Sequence, residues 1–171
     1  VPFVCEVSVL IARDHQGASL CYDLPRNEHV NGILRRSTVP ANIDQGIADR
    51  ASAAAKALAD ALDYVGVLAL EFFVLEDGSL LANEFAPRVH NSGHWTPEAC
   101  HTGQFEQHIR AVAGWPLGAV TRCHDVDMSN LCGDEALALP RNLLENAKLT
   151  LYGKRDAKPG RKMGHLVKRL P

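Results

Sequence analysis

The sequence predicts an α+β fold, an antiparallel sheet with packed helices. Three observations carry this. Two apolar runs rich in Val, Leu and Ile, 3–12 and 64–75, each lead into a short turn and a returning strand. One Ala-rich stretch, 45–63, has apolar residues at helical spacing. Of the 171 residues, 46% are apolar and 22% charged, the composition of a globular chain.

In chain order, the first run turns at His15-Gln16-Gly17 and returns over 18–24. Residues 25–42 read as polar and irregular, with Asn31-Gly32 as a turn signal. The helix presents Ile47, Ala51, Ala54, Ala55, Leu58 and Leu62, with Asn42 or Asp44 as its cap. A stripe made mostly of Ala predicts close packing. The second run turns at Glu76-Asp77-Gly78-Ser79 and returns over 80–85, where Pro87 ends the ladder. A short helix over 102–113 carries Phe105, Ile109 and Val112 on one face, with Gly114 and Pro116 as its stop. A boundary near Gly118 separates residues 1–117 from a small β-rich domain, 118–171, with strand-like pieces at 125–131 and 148–151 and a basic turn at 154–165.

Charge and cysteine content exclude several classes. Eighteen Lys and Arg against 20 Asp and Glu leave a net charge of −2, without the basic footprint of a nucleic-acid binder. No apolar run reaches the ~18 residues that would span a membrane. Five cysteines, with no C-x-x-C pair, argue against a disulfide framework or Cys-rich zinc site, so a reducing cytoplasm is expected.

Glu71 is a lone carboxylate inside an apolar strand, and an unpaired buried charge is costly. With the hairpin turn centred between Asp77 and Gly78, paired residues sum to 155, so Glu71 faces Glu84. A two- or four-residue loop keeps this register and a three-residue loop breaks it. Like charges opposite one another destabilise a sheet. A hard divalent cation relieves that, since Mg2+ takes one or two carboxylates plus substrate phosphates. The alternatives are a solvent-facing Glu or an Arg partner.

After the hairpin, 83–96 crowds polar groups together. Arg88 suits a planar oxyanion, and Asn91-Ser92-Gly93 can form a backbone nest for an anion. His90 and His94 also read as structural histidines bonded to backbone. Zinc is a rival, given His90, His94, Cys100, His101 and His108, but Asn91-Ser92-Gly93 between the first two favours a loop over a ligand-bearing helix. The basic turn carries Lys154, Arg155, Lys158, Arg161 and Lys162, which on its own reads as a solvated turn.

Glu71, then Asn83-Glu84-x-Ala86-Pro87-Arg88-Val89-His90-Asn91-Ser92-Gly93-His94-Trp95-Thr96, closely resembles the N5-carboxyaminoimidazole ribonucleotide synthetases, ATP-grasp enzymes of purine biosynthesis. Further matches are Gln104-Phe105-Glu106-x-His108-x-Arg110-Ala111, Gly114-x-Pro116-Leu117, Glu6-Val7-Ser8, Asn27-x-His29-x-x-Gly32-Ile33-Leu34 and Pro159-Gly160-Arg161-Lys162-x-Gly164-His165-Leu166. The resemblance covers nearly the whole chain.

It implies the C-terminal half of an ATP-grasp domain followed by a small, incomplete C-terminal domain. The implied reaction consumes ATP, bicarbonate and aminoimidazole ribonucleotide through carboxyphosphate. It implies Glu71 and Glu84 as ligands of Mg2+, with two ions allowed, and Asn83 beside them at the ATP phosphates. Arg88 would hold bicarbonate and His90 orient the ribonucleotide as catalytic residues. Asn91, Ser92, Lys154, Arg161 and Lys162 would bind substrate, the cations gripping its 5′-phosphate. Family members are about twice this length and usually dimeric, and the adenine pocket and lid would lie in the preceding half. Competing readings are a formate-dependent glycinamide ribonucleotide transformylase, which has Asp-Thr-Gly where this chain has Asn91-Ser92-Gly93, and a non-catalytic binding fragment.

Overall fold

The computed structural model describes residues 1–139 and 144–171. Its described strands are β1 (Cys5–Arg13), β2 (Ser19–Cys21), β3 (Arg26–Val30), β4 (Ile33–Val39), β5 (Gly66–Val74), β6 (Leu80–Ala86), β7 (Val126–Cys132), β8 (Ala147–Leu151) and β9 (Lys162–Arg169). They join one antiparallel sheet in the order β6-β5-β1-β3-β4-β7-β9-β8, with β2 paired to β1. Strands from both sides of Gly118 share this sheet, through the pairing of β4 with β7. The helices are α1 (Gln45–Ala61), α2 (Thr96–Ala99) and α3 (Gln104–Val112).

β1 and β5 pair over nine residues, and their two faces differ. One face sets Val7, Val9, Leu70 and Phe72 against Ala51, Ala55 and Ala59 of α1. The small methyl groups let the helix backbone lie close to the sheet, and Asp44 caps it by accepting from the Gly46 N–H at 2.8 Å. Ala54 and Leu62, expected on the buried stripe, are exposed, and Ala59 takes that place. The opposite face of β1 grades from Leu10 and Ala12, under the fully buried Trp95, to Ser8 and Glu6. This gradient positions the site.

Two stretches differ from the sequence expectation. Residues 25–42 are a β-hairpin, β3 and β4, turning at Asn31-Gly32. Its strands are rich in Arg, Asn, His and Glu, so apolar alternation does not reveal them. The basic turn also gives way at Lys162 to β9, which pairs with both β7 and β8.

Ala55→Leu forces three extra carbons into the α1–sheet contact, where overpacking costs about 1–3 kcal/mol. Urea denaturation of this chain should show a lower midpoint with an unchanged slope. An unchanged midpoint would mean that the helix is not seated as described.

Candidate active site at the β5–β6 hairpin

The hairpin turn is a three-residue loop. The Leu75 N–H donates to Ser79 O at 2.9 Å, and Gly78 takes the left-handed backbone (φ 76°) that closes such a loop. Near the turn the pairs therefore sum to 154, as in Val74 with Leu80 and Phe72 with Ala82. The expected centring between Asp77 and Gly78 is corrected to this extent. Further along, Leu70 pairs with Phe85 and Ala69 with Ala86, and the sum is 155. The missing residue is taken up by a β-bulge that sets Asn83 and Glu84 together against Glu71. Bulges bend a strand and re-aim its side chains. Here the bulge restores the Glu71–Glu84 juxtaposition that the loop length alone would have broken.

Glu71 is 6% exposed, and its Oε1 is buried without a hydrogen-bond partner. Ser8 lies directly opposite on β1. Ligand atoms of Glu71, Glu84 and His90 all lie within 4.8 Å of one another, the one such cluster of potential metal ligands among the described residues. Burial pushes the Glu71 carboxyl above its ordinary value, Glu84 and Glu6 add to this, and His29 and Lys162 oppose it. A carboxylate held under that tension, with an orphaned oxygen and a second carboxylate beside it, fits a hard divalent cation.

His90 enters from the segment after β6. Its Nδ1 is 3.6 Å from Glu71 Oε1 and 2.9 Å from Ser92 Oγ. Burial, then the positive charges of Arg88 and Lys162, depress it to about 4, so it is a neutral imidazole at pH 7. Asn91–Gly93 form a 3-10 turn rather than an irregular loop. Both polar atoms of the Asn91 amide are buried without partners. Gly93 is required by close approach, since a Cβ there would sit 2.1 Å from Leu10 Cδ2.

Gln104, fully buried, fixes this turn. Its Oε1 accepts from His90 N–H at 2.9 Å and its Nε2 donates to His90 O at 2.8 Å. Gln107 makes the same two-bond exchange with Gly118, at 2.8 and 2.7 Å. Helix α3 is thus inverted. Its glutamines and Ala111 face inward, and Phe105, Ile109 and Val112 are 47, 55 and 43% exposed.

The other expected residues divide. Asn83 and Glu84 line a cleft of about 310 Å3 with Glu71, Glu6 and His29. His29 Nδ1 lies 2.5 Å from Glu6 Oε2, and the polar interruption of β1 and the Asn27-x-His29 pattern are their sequence signals. Arg88 is exposed, does not line that cleft, and donates to Val89 O at 3.0 Å, its charge felt by His90. Lys162 is half-buried and its charge is felt by Glu71 and His90. Lys154 donates to Lys162 O at 2.6 Å, whereas Arg161 is turned to Asp156 O at 3.2 Å. The zinc set is not assembled: His94 Nδ1 meets Tyr152 Oη and His108 Nδ1 accepts from Val67 N–H, both inside the fold.

The ATP-grasp domain profile matches residues 1–105. The chain belongs to the ATP-grasp family. A second profile, the phosphoribosylaminoimidazole carboxylase C-terminal domain, matches residues 127–168. The N5-carboxyaminoimidazole ribonucleotide synthase of Brucella melitensis is 59% identical over 100% of this chain and 48% of its own length. The crystal structure of an N5-carboxyaminoimidazole ribonucleotide synthetase in complex with ADP superposes with a TM-score of 0.95 at 46% identity, over 99% of this chain and 46% of that one. The Aspergillus clavatus N5-carboxyaminoimidazole synthase, in complex with ADP and 5-aminoimidazole ribonucleotide, superposes at 0.89 with 33% identity, over 99% and 47%. The chain therefore spans about half the length of the ATP-grasp relatives it matches. Among the described residues no helix is long and apolar enough to cross a membrane.

The depressed imidazoles give a pH dependence with a definite sign. Burial also pushes His94 down to about 3. An unfolded His takes its proton near 6.5. Between there and about 4 the unfolded chain binds more protons, so the stability that His90 and His94 contribute is present above 6.5 and lost as pH falls. Urea midpoints of this chain should drop from pH 7 to pH 4.5, and His94→Asn should flatten the slope. A parallel slope in the variant would contradict the burial.

Proposed function

We propose that the protein carrying this chain makes N5-carboxyaminoimidazole ribonucleotide from ATP, bicarbonate and 5-aminoimidazole ribonucleotide, in purine biosynthesis. The observation that carries this reading is the bulge that sets Asn83 and Glu84 against the buried Glu71, beside His90. A bicarbonate oxygen attacks the γ-phosphorus, the bond to ADP breaks, and carboxyphosphate forms. The exocyclic amine of the ribonucleotide takes the carboxyl group and phosphate leaves.

Glu71 and Glu84 would hold Mg2+, which supplies neutralisation of the phosphate charge. Asn83 would orient the nucleotide phosphates. Arg88 would hold bicarbonate through paired N–H donors. His90, neutral and pinned by Gln104, would orient the ribonucleotide, with the unpaired Asn91 amide and Ser92 beside it. Lys154, Arg161 and Lys162 would take the 5′-phosphate, Lys162 from the position nearest the carboxylates. Positioning suffices here, because phosphoryl transfer needs no covalent nucleophile. We propose that residues 1–117 and 118–171 act as two units facing this site, in a cytoplasmic homodimer that binds neither nucleic acid nor membrane.

In the full-length protein, phosphate release should require ATP, Mg2+, bicarbonate and the ribonucleotide together. Glu84→Gln should lower it by at least about a hundredfold, the scale of losing a charge-stabilising group, with the melting temperature held. Release that ignores bicarbonate would defeat the reading. The 171 residues alone should give no turnover, because closure over the nucleotide and exclusion of water need both walls of the site. Turnover at the full-length rate by this chain would contradict that.

A further inference from the structure

Tyr152 lies just past β8, at the base of the basic segment. Its hydroxyl is 2.9 Å from His94 Nδ1 and 2.8 Å from His165 Nδ1. His94 directly follows the 3-10 turn and donates its N–H to Asn91 O at 3.1 Å. His165 is on β9, three residues after Lys162. The two imidazoles stack with centroids 4.8 Å apart, and His94 stacks on Phe105 of α3 at 5.7 Å. The hydroxyl thus joins the Asn91–Gly93 turn to the two strands that frame the cations. On the cation side, Tyr152 N–H donates to Met163 O at 2.9 Å, and Lys154 Nζ lies 5.4 Å from the Tyr152 ring centroid.

We propose that Tyr152, through His94 and His165, is a positioning residue that holds Lys162 against the Glu71–Glu84–His90 cluster and so sets affinity for the phosphorylated ribonucleotide. This rests on the function proposed above. The geometry adds a proton constraint. A phenol has one hydrogen to donate, and each neutral imidazole has one N–H. With Oη facing two Nδ1 atoms, at most one ring can accept the phenol hydrogen, so at least one ring donates Nδ1–H to the oxygen. His94 and His165 are therefore not both Nε2–H tautomers, and both Nδ1 atoms are engaged by the hydroxyl. Burial lowers the proton affinity of both rings, which keeps the pair neutral and the arrangement intact at pH 7.

The hydroxyl touches no substrate in this scheme. Its loss therefore moves the hairpin and leaves the metal ligands in place. In the full-length protein, Tyr152→Phe should raise KM for the ribonucleotide about tenfold, the scale of one or two lost hydrogen bonds. The KM for ATP and kcat should stay within about twofold on the same scale. His165→Ala should do the same. His165→Asn, whose amide can reach the Nδ1 position, should recover most of the loss.

In 15N spectra of the full-length protein at pH 7, at least one of the two histidines should be the Nδ1–H tautomer. Two Nε2–H tautomers overturn the proposal. So does a Phe variant with unchanged ribonucleotide KM beside an active wild type, or one that loses only kcat together with thermal stability. A wild type with no ribonucleotide-dependent phosphate release overturns the function itself, and this inference with it.

Discussion

A carboxylate taken out of water costs several kcal/mol unless charges or hydrogen bonds answer it. Glu71 stands in the most apolar of the described strands, and its neighbours answer part of that cost. His29 and Lys162 bring opposing charge from separate strands, whereas Glu84, set beside it by the bulge, and Glu6 add to the cost. The answer stays incomplete, because one oxygen of Glu71 has no partner. That residual deficit is what a cation would satisfy.

Helix α3 shows how the rest is made rigid. Gln104 and Gln107 each trade two hydrogen bonds with a distant peptide unit, as one strand residue does with its partner in an antiparallel ladder. A side-chain amide has the same donor–acceptor pair as the backbone, so it can stand in for a strand where chain direction forbids one. The arrangement uses the buried face of the helix for polar work. Its apolar residues are left on the outside, opposite to what their periodicity suggests.

Much of this was legible in the sequence where a residue's environment is local. The paired apolar runs, the Ala stripe at 51 and 55, the Asp44 cap and the isolation of Glu71 all follow from periodicity and turn chemistry. The Glu71–Glu84 meeting was reached through a register that the three-residue loop does not have, and a bulge that leaves no mark in composition brought it back. The hairpin at 26–39 was hidden because its strands are polar, although Asn31-Gly32 marked its turn. Gln104 and Tyr152 were not legible as organisers. Their partners lie 14 and 58 residues away, and neither residue type announces a tertiary role.

The order of strands has a consequence for how the chain reaches this state. Four hairpins among the described strands, β1–β2, β3–β4, β5–β6 and β8–β9, close locally along the chain and can form within microseconds. The contacts that unite them span far more chain: Ser8 finds Glu71, and Arg36 finds Ser129. Loop-closure entropy must be met before such pairings return any energy, so they cost more to close than the hairpins do. β1 is needed for the carboxylate and β4 for the attachment of the β7–β9 strands. The site is therefore complete only once these long-range pairings are made, and in a chain that lacks them Glu71 is open to water, where its charge carries no burial cost.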